Sequence, residues 1–196
     1  MKISIKSVDL ASHKTACLVA GIYEDKKPGP SARKIDKLTN GAITRVLKHG
    51  DITGKSGQAL LLHHLPGVAA ERILLIGCGK AGEISDSQFR NIIQNMAQNL
   101  NNFSIKDAVC CLAELKLKER KGAATIQLGS EAVVHNLYRY TRTKSEKNNA
   151  PSLRQLVWQV TETKGHAEYN KAASVGQAVG NGMALARELG NLPGNI

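Results

Sequence analysis

Along the chain, short continuous apolar runs take turns with segments whose apolar positions recur every three or four residues, the alternation expected of strands and helices. Lys2 to Val8 sets Ile3 and Ile5 between Lys2, Ser4 and Lys6, the two-residue period of an outer strand with one wet face. Thr15 to Ile22 (TACLVAGI) predicts a buried strand, and Gln58 to Leu65 (QALLLHHL) another, after the glycine-rich turn Thr53 to Gly57. The run Ile73-Leu74-Leu75-Ile76, bounded by glycines, fits a central parallel strand buried on both faces. Ile105 to Leu112 and Leu153 to Val160 follow, the latter with Trp158 expected to pack against a helix, which makes about six strands.

Between these runs, Ile35, Leu38, Ala42, Ile43, Val46 and Leu47 mark one amphipathic helix ending near Gly50. Ser85 and Gln88 have capping-box spacing ahead of a core stripe made by Phe89, Ile92, Ile93, Met96, Ala97 and Leu100. Val133, Val134, Leu137 and Tyr138 share a face of a further helix that runs into Tyr138 to Ser145. The last helix extends from near His166 to about Leu189, with Ala172, Val175, Val179, Met183, Ala186 and Leu189 at helical spacing. Its Gly176, Gly180 and Gly182 are each unfavourable by about 1 kcal/mol in an isolated helix and are tolerable where another element packs close. Glu24 to Arg33, with two prolines and a glycine, reads as an exposed loop, and Lys116 to Lys121 (KLKERK) as a polar connection. Strands alternating with helices predict an α/β fold: a mixed, mostly parallel sheet with helices on both faces.

Charge and cysteine content narrow the setting. Lys and Arg outnumber Asp and Glu by 27 to 16, a formal charge of +11 that favours acidic partners but by itself describes solubility and steering. Cys17, Cys78, Cys110 and Cys111 all fall in apolar runs and none forms C-x-x-C, the pattern of buried free thiols in a reducing compartment. The N-terminus lacks the continuous apolar segment of a signal peptide and no window is apolar enough to span a bilayer, so a cytoplasmic chain with no membrane partner is expected.

Gly77, Gly79 and Gly82 spell G-x-G-x-x-G between a strand and a helix, which raises the prospect of a nucleotide or ADP-ribose site. The acidic residue expected roughly 20 positions on to bind a ribose is absent, since that neighbourhood reads Asn101-Asn102-Phe103, and Lys80 sits inside the turn. A tight strand-to-helix turn is the simpler reading. His63 and His64 are adjacent on a strand, face opposite sides and cannot chelate one metal together. No H-E-x-x-H, no G-x-S-x-G and no paired carboxylates are present, so no catalytic, cofactor-binding or metal-binding residue is assigned.

The segment Ala186-Arg187-Glu188-Leu189-Gly190-Asn191-Leu192-Pro193-Gly194-Asn195 resembles the linker into the catalytic domain of leucyl (cytosol) aminopeptidases of bacterial type. Arg72 to Lys80 (RILLIGCGK), Tyr138 to Lys147 (YRYTRTKSEK) and the helix from Val175 to Ala186 are similar to that family's pattern in content and order. Gly194 stands where many members carry a second proline. The resemblance implies a macro-domain-like N-terminal domain, residues 1–163, followed by a linker helix and first turn, residues 164–196. It also implies a cytoplasmic peptidase that removes N-terminal residues from peptides in intracellular protein turnover, forms homohexamers and uses two divalent metal ions, Mn or Zn. The metal-binding segments of such enzymes read roughly K-G-x-T-F-D-x-G-G and N-T-D-A-E-G-R. Neither occurs in these 196 residues, so the chain is expected to lack the catalytic domain, to hold no cofactor and to be inactive alone. A second expectation is a DNA-binding module using Lys26 to Lys37, Lys116 to Lys121 and Arg139 to Lys147. With 4% aromatic residues, backbone contacts to duplex are the fitting mode.

Overall fold

A computed structural model describes residues 1–141, 151–161 and 165–192. Its sheet runs β1 (Lys2–Lys6), β7 (Gln155–Gln159), β6 (Asp107–Cys110), β2 (Leu18–Tyr23), β5 (Arg72–Gly77), β4 (Ala59–His63), and the two-residue β3 (Lys27–Pro28) pairs with β2. All neighbours along this path are parallel except β4, which lies antiparallel on β5. The expected mixed, mostly parallel α/β sheet is therefore observed.

Two apolar clusters on opposite faces account for the continuous hydrophobic runs. Ile73 and Leu75 of β5 join Leu18, Ala20 and Ile22 on one face, under Ile35 of α1 (Pro30–Leu38) and Ile43 and Leu47 of α2 (Ala42–His49). Leu74 and Ile76 point the other way, with Val19 and Trp158, toward α3 (Asp86–Asn102), α4 (Ala123–Leu137) and α5 (His166–Asn191). A strand covered on both faces has no polar positions to alternate, which is why its pattern is a run.

Several boundaries and one placement differ from the sequence reading. The expected single helix ending near Gly50 is two helices, because Asn40 and Gly41 adopt left-handed backbone with φ of 52° and 79°. Asp36 of α1 accepts from the Thr44 N–H at 2.8 Å, which caps the first turn of α2. The expected loop Glu24 to Arg33 contains β3 and the first turn of α1, where Pro30 occupies a helix start that needs no N–H. β5 is not the centre of the sheet: β2 pairs with both β5 and β6, while β5 has a parallel neighbour on one side only. The polar connection Lys116 to Lys121 carries a buried Leu117 that bridges to Ile84. The helix ending in Leu137 stops before Tyr138, and residues 142–145 of the expected continuation lie outside the described residues.

Other expectations hold in detail. β1 is an outer strand, and Ser85 and Gln88 form the capping box, with Gln88 N–H donating to Ser85 Oγ and Ser85 N–H to Gln88 Oε1. Trp158 packs on α4 so tightly that a Cβ on Gly129 would lie 2.7 Å from its ring, and its indole N–H donates to Ser130 Oγ at 3.0 Å. Gly176 and Gly180 of α5 mark a close helix crossing: a Cβ on Gly176 would meet the Gln127 carbonyl oxygen at 2.1 Å, and one on Gly180 would meet Val134 Cβ at 2.6 Å. Gly182 faces open space and has no such reason.

Candidate functional site

Open α/β sheets offer ligands a crevice beyond the carboxyl ends of the strands, where successive connections leave a strand in opposite directions. Here that point is β2, flanked by β5 and β6. A cleft of about 130 Å³ lies there, lined by Ser31 at the start of α1, Glu114 after β6, Gln159 at the end of β7 with Val160 and Thr161 after it, Gly122 before α4, and Tyr169 of α5.

Glu114 occupies the position an anion would take. Its carboxylate accepts from Ser31 N–H at 3.0 Å and from Ser31 Oγ at 2.6 Å, at the N-terminus of α1. Pro30 has no N–H to offer and Arg33 N–H bonds to the Gly29 carbonyl, so the carboxylate serves Ser31, one of the orphan donors of that turn. Burial pushes the Glu114 carboxyl above its ordinary value, and the hydrogen bonds from Ser31 act against that rise. The volume is also well below the roughly 300 Å³ at which small-ligand pockets begin. A neighbouring cleft of about 350 Å³ mixes signs, with Glu83 and Glu114 among Lys116, Arg120 and Lys121.

The glycine-rich turn is used by the chain itself. Gly77 N–H bonds to the Gln58 carbonyl, Cys78 N–H to Ile22 and Gly79 N–H to Gly54, all within 2.8–2.9 Å. Gly77 is small because a Cβ there would lie 2.0 Å from the Lys55 carbonyl oxygen. With its first amides committed and α3 closed by its capping box, the turn has the structural reading, and phosphate-cradling amides are not free at these positions.

The remaining candidates are dispersed. Burial pushes the thiols of Cys17, Cys78 and Cys111 up to about 12 and that of Cys110 well above its ordinary value, so none is poised as a thiolate. His63 ends β4 and His64 follows in left-handed backbone, with ring centroids 6.3 Å apart. Among the described residues no group of three or more His, Cys, Asp or Glu could hold a metal ion. Of the basic stretches, Lys26 to Lys37 falls on β3 and α1 and Lys116 to Lys121 on the connection between β6 and α4, while only residues 139–141 of the third are among the described residues. Arg120 is paired with Asp86 at 2.6 Å, and Arg139 donates to the carbonyls of Asn136 and Tyr138. One arrangement the sequence did not reveal fastens the end of α5: Tyr138 Oη donates to Glu188 Oε2 at 2.7 Å while the Arg187 guanidinium lies 4.5 Å from the Tyr138 ring centre.

Comparison with known proteins gives a consistent picture. Residues 19–147 match the profile described as the cytosol aminopeptidase family, N-terminal domain. The whole chain aligns at 43% identity with a probable cytosol aminopeptidase of Azotobacter vinelandii and at 37% with one of Actinobacillus pleuropneumoniae serotype 3. It spans only 39% and 40% of the length of those curated relatives. Among solved structures, a mutant leucine aminopeptidase of tomato superposes over the entire chain with a TM-score of 0.77 at 22% identity, matching 39% of that chain. The bottromycin maturation enzyme BotP, in complex with Mn, superposes over 91% with a TM-score of 0.61 at 19% identity, matching 32% of its own chain. At these identities the two structures report on the fold.

Proposed function

This chain belongs to the cytosol aminopeptidase family, as its N-terminal domain, and from that premise we propose that it is the non-catalytic part of a longer leucyl aminopeptidase that removes N-terminal residues from peptides in intracellular protein turnover. The observation that carries this reading is the coverage: all of this chain aligns with relatives named as peptidases, yet accounts for only 39% and 40% of their length. The reaction is then the work of the remainder. When bound, two divalent ions, Mn or Zn, would polarise the scissile carbonyl and activate water. The described residues contain no fitting donor cluster, so no step of that chemistry is derived from them.

In this reading residues 1–163 form the domain proper, and α5, pinned to α4 by Gly176, Gly180 and the Tyr138–Glu188 bond, leads on into the catalytic domain as part of residues 164–196. The rigid crossing would fix the direction in which the helix leaves. Self-association, a homohexamer in the full-length protein, and a cytoplasmic location complete the proposal. The location accords with the relatives' names and with the lack, among the described residues, of a helix long and apolar enough to cross a membrane.

The experiment pairs two measurements on the native gene product captured from its source cells: intact mass, and hydrolysis of a leucine anilide with and without Mn²⁺ or Zn²⁺. A mass far above 21.1 kDa with metal-dependent hydrolysis, and no hydrolysis by residues 1–196 alone, is expected. A native mass near 21.1 kDa, or hydrolysis by residues 1–196 alone, would overturn the assignment.

A further inference from the structure

The outer strand β4 leaves one row of backbone groups without a partner. Gly77 N–H donates to Gln58 and His64 N–H to Glu71, and the antiparallel register pairs Leu60 with Leu75 and Leu62 with Ile73. Even-numbered residues thus bond inward, and the N–H and C=O groups of Ala59, Leu61 and His63 point outward. Among the described residues none of these has a hydrogen-bond partner.

This edge lacks the usual guards. From Ser56 to Ala70 there is no Lys, Arg, Asp or Glu, and within β4 there is no proline. Ala59 to Leu62 are only half-buried. The opposite outer strand, β1, begins and ends with the exposed Lys2 and Lys6.

We propose that β4 is a self-pairing edge, on which a second copy of this chain adds its own β4 antiparallel about a two-fold axis at Leu61. The occupant follows from self-complementarity. With Leu61 opposite its own symmetry mate, Ala59 faces the partner's His63 and His63 the partner's Ala59. All three pairs are then outward-bonding positions that exchange both hydrogen bonds. Leu60 falls opposite the partner's Leu62 on the other face of the sheet, a non-hydrogen-bonded pair in which side chains approach closely and each half-buried leucine gains cover. A chain of charge +11 is repelled by its own copy, and an uncharged strip lets two copies meet without placing cations opposite one another. Pairing about a two-fold uses up this edge in both copies, so the product is a closed dimer rather than a fibre. The proposal does not depend on the peptidase reading.

Sedimentation velocity of residues 1–196 across a concentration series, together with amide hydrogen exchange, tests it. The expected result is a monomer–dimer equilibrium in which the amides of Ala59, Leu61 and His63 gain protection as concentration rises, while those of Leu60 and Leu62 are protected throughout. Leu61→Pro removes an outward donor that the inner ladder does not use, and Leu61→Lys sets two cations face to face at the axis; each should weaken the dimer at least about tenfold. Leu185→Lys, on an α5 residue that is 60% exposed, should leave it unchanged. A monomer at every concentration, a dimer whose Leu61 amide stays unprotected, or a dimer lost in Leu185→Lys but kept in both Leu61 variants would each overturn the proposal. The exchange measurement on the unsubstituted chain decides the matter even where a Leu61 variant fails to fold.

Discussion

At the β1 end of the sheet, Lys2 and Lys6 flank the outer strand, α5 packs beside it, and α4 and α5 cross at Gly176 and Gly180 close enough that a Cβ on Gly176 would strike backbone. At the β4 end the outer strand carries three half-buried leucines and no charge, and the tight packing is in the turns beneath it, where Gly77 rests against the Lys55 carbonyl. The first flank is closed by side-chain and helix packing within the chain. The second satisfies its turns internally but leaves an edge whose hydrogen bonds remain to be made. In one fold, glycine serves helix contact at one end and strand-to-turn contact at the other, and sequence pattern alone does not distinguish the two.

The largest effect is expected at the helix crossing. Gly176→Ala should destabilise the chain by about 3 kcal/mol in urea unfolding, because its Cβ meets the Gln127 carbonyl oxygen, whereas Gly182→Ala should stabilise by about 1 kcal/mol since nothing lies within 4 Å. Equal effects at the two sites would mean that α5 is not held against α4 in this way.

Next in size is Trp158→Phe, which deletes the indole donor and strands the buried Ser130 hydroxyl. A loss of about 2 kcal/mol is expected by the same measurement. Ser130→Ala in the Phe background should recover part of it.

Between the two flanks, Glu114→Ala should cost about 1 kcal/mol through loss of the α1 cap, and Glu114→Gln much less, since an amide oxygen still accepts from Ser31. The pH dependence has a definite sign. Burial raises the folded-state value above the unfolded one, so the folded state binds more protons in the window between them. Stability therefore falls as pH rises through that window and is level above it. Thermal unfolding of Glu114→Gln from acid to neutral pH should lack this slope.

The smallest effect on folding is expected at the guarded edge. Lys2→Thr with Lys6→Thr should change stability by less than about 0.5 kcal/mol, yet open a second pairing edge and convert dimers to larger species in sedimentation. Unchanged association in that variant would show that the lysines are not what separates the two ends.

Much of the layered architecture was legible because burial on two faces leaves a distinct mark. Ile73 to Ile76 and Leu156 to Trp158 are apolar without interruption because alternate residues feed different clusters. The capping box at Ser85 was equally plain, since both partners sit three residues apart and need no distant contact. The break at Asn40-Gly41 was masked by an apolar rhythm that continues across it, as α1 and α2 both face the same cluster. The candidate site was the least legible part. Ser31 and Glu114 are 83 residues apart, and neither belongs to a local pattern that announces the other. The Tyr138–Arg187–Glu188 fastening is hidden for the same reason.

By itself, then, the sequence determined what depends on neighbours in the chain: which segments become strands or helices, which faces are apolar, and, through the Ala186 to Asn195 segment, the family. Tertiary structure alone decided what depends on distant segments meeting. It placed β2 rather than β5 at the hub, filled the α1 N-terminus with Glu114, and committed the amides of the Gly77 turn to Gln58, Ile22 and Gly54. The physical reason is that a backbone N–H donates to whichever acceptor the fold brings within reach, and that choice is written in no local spacing.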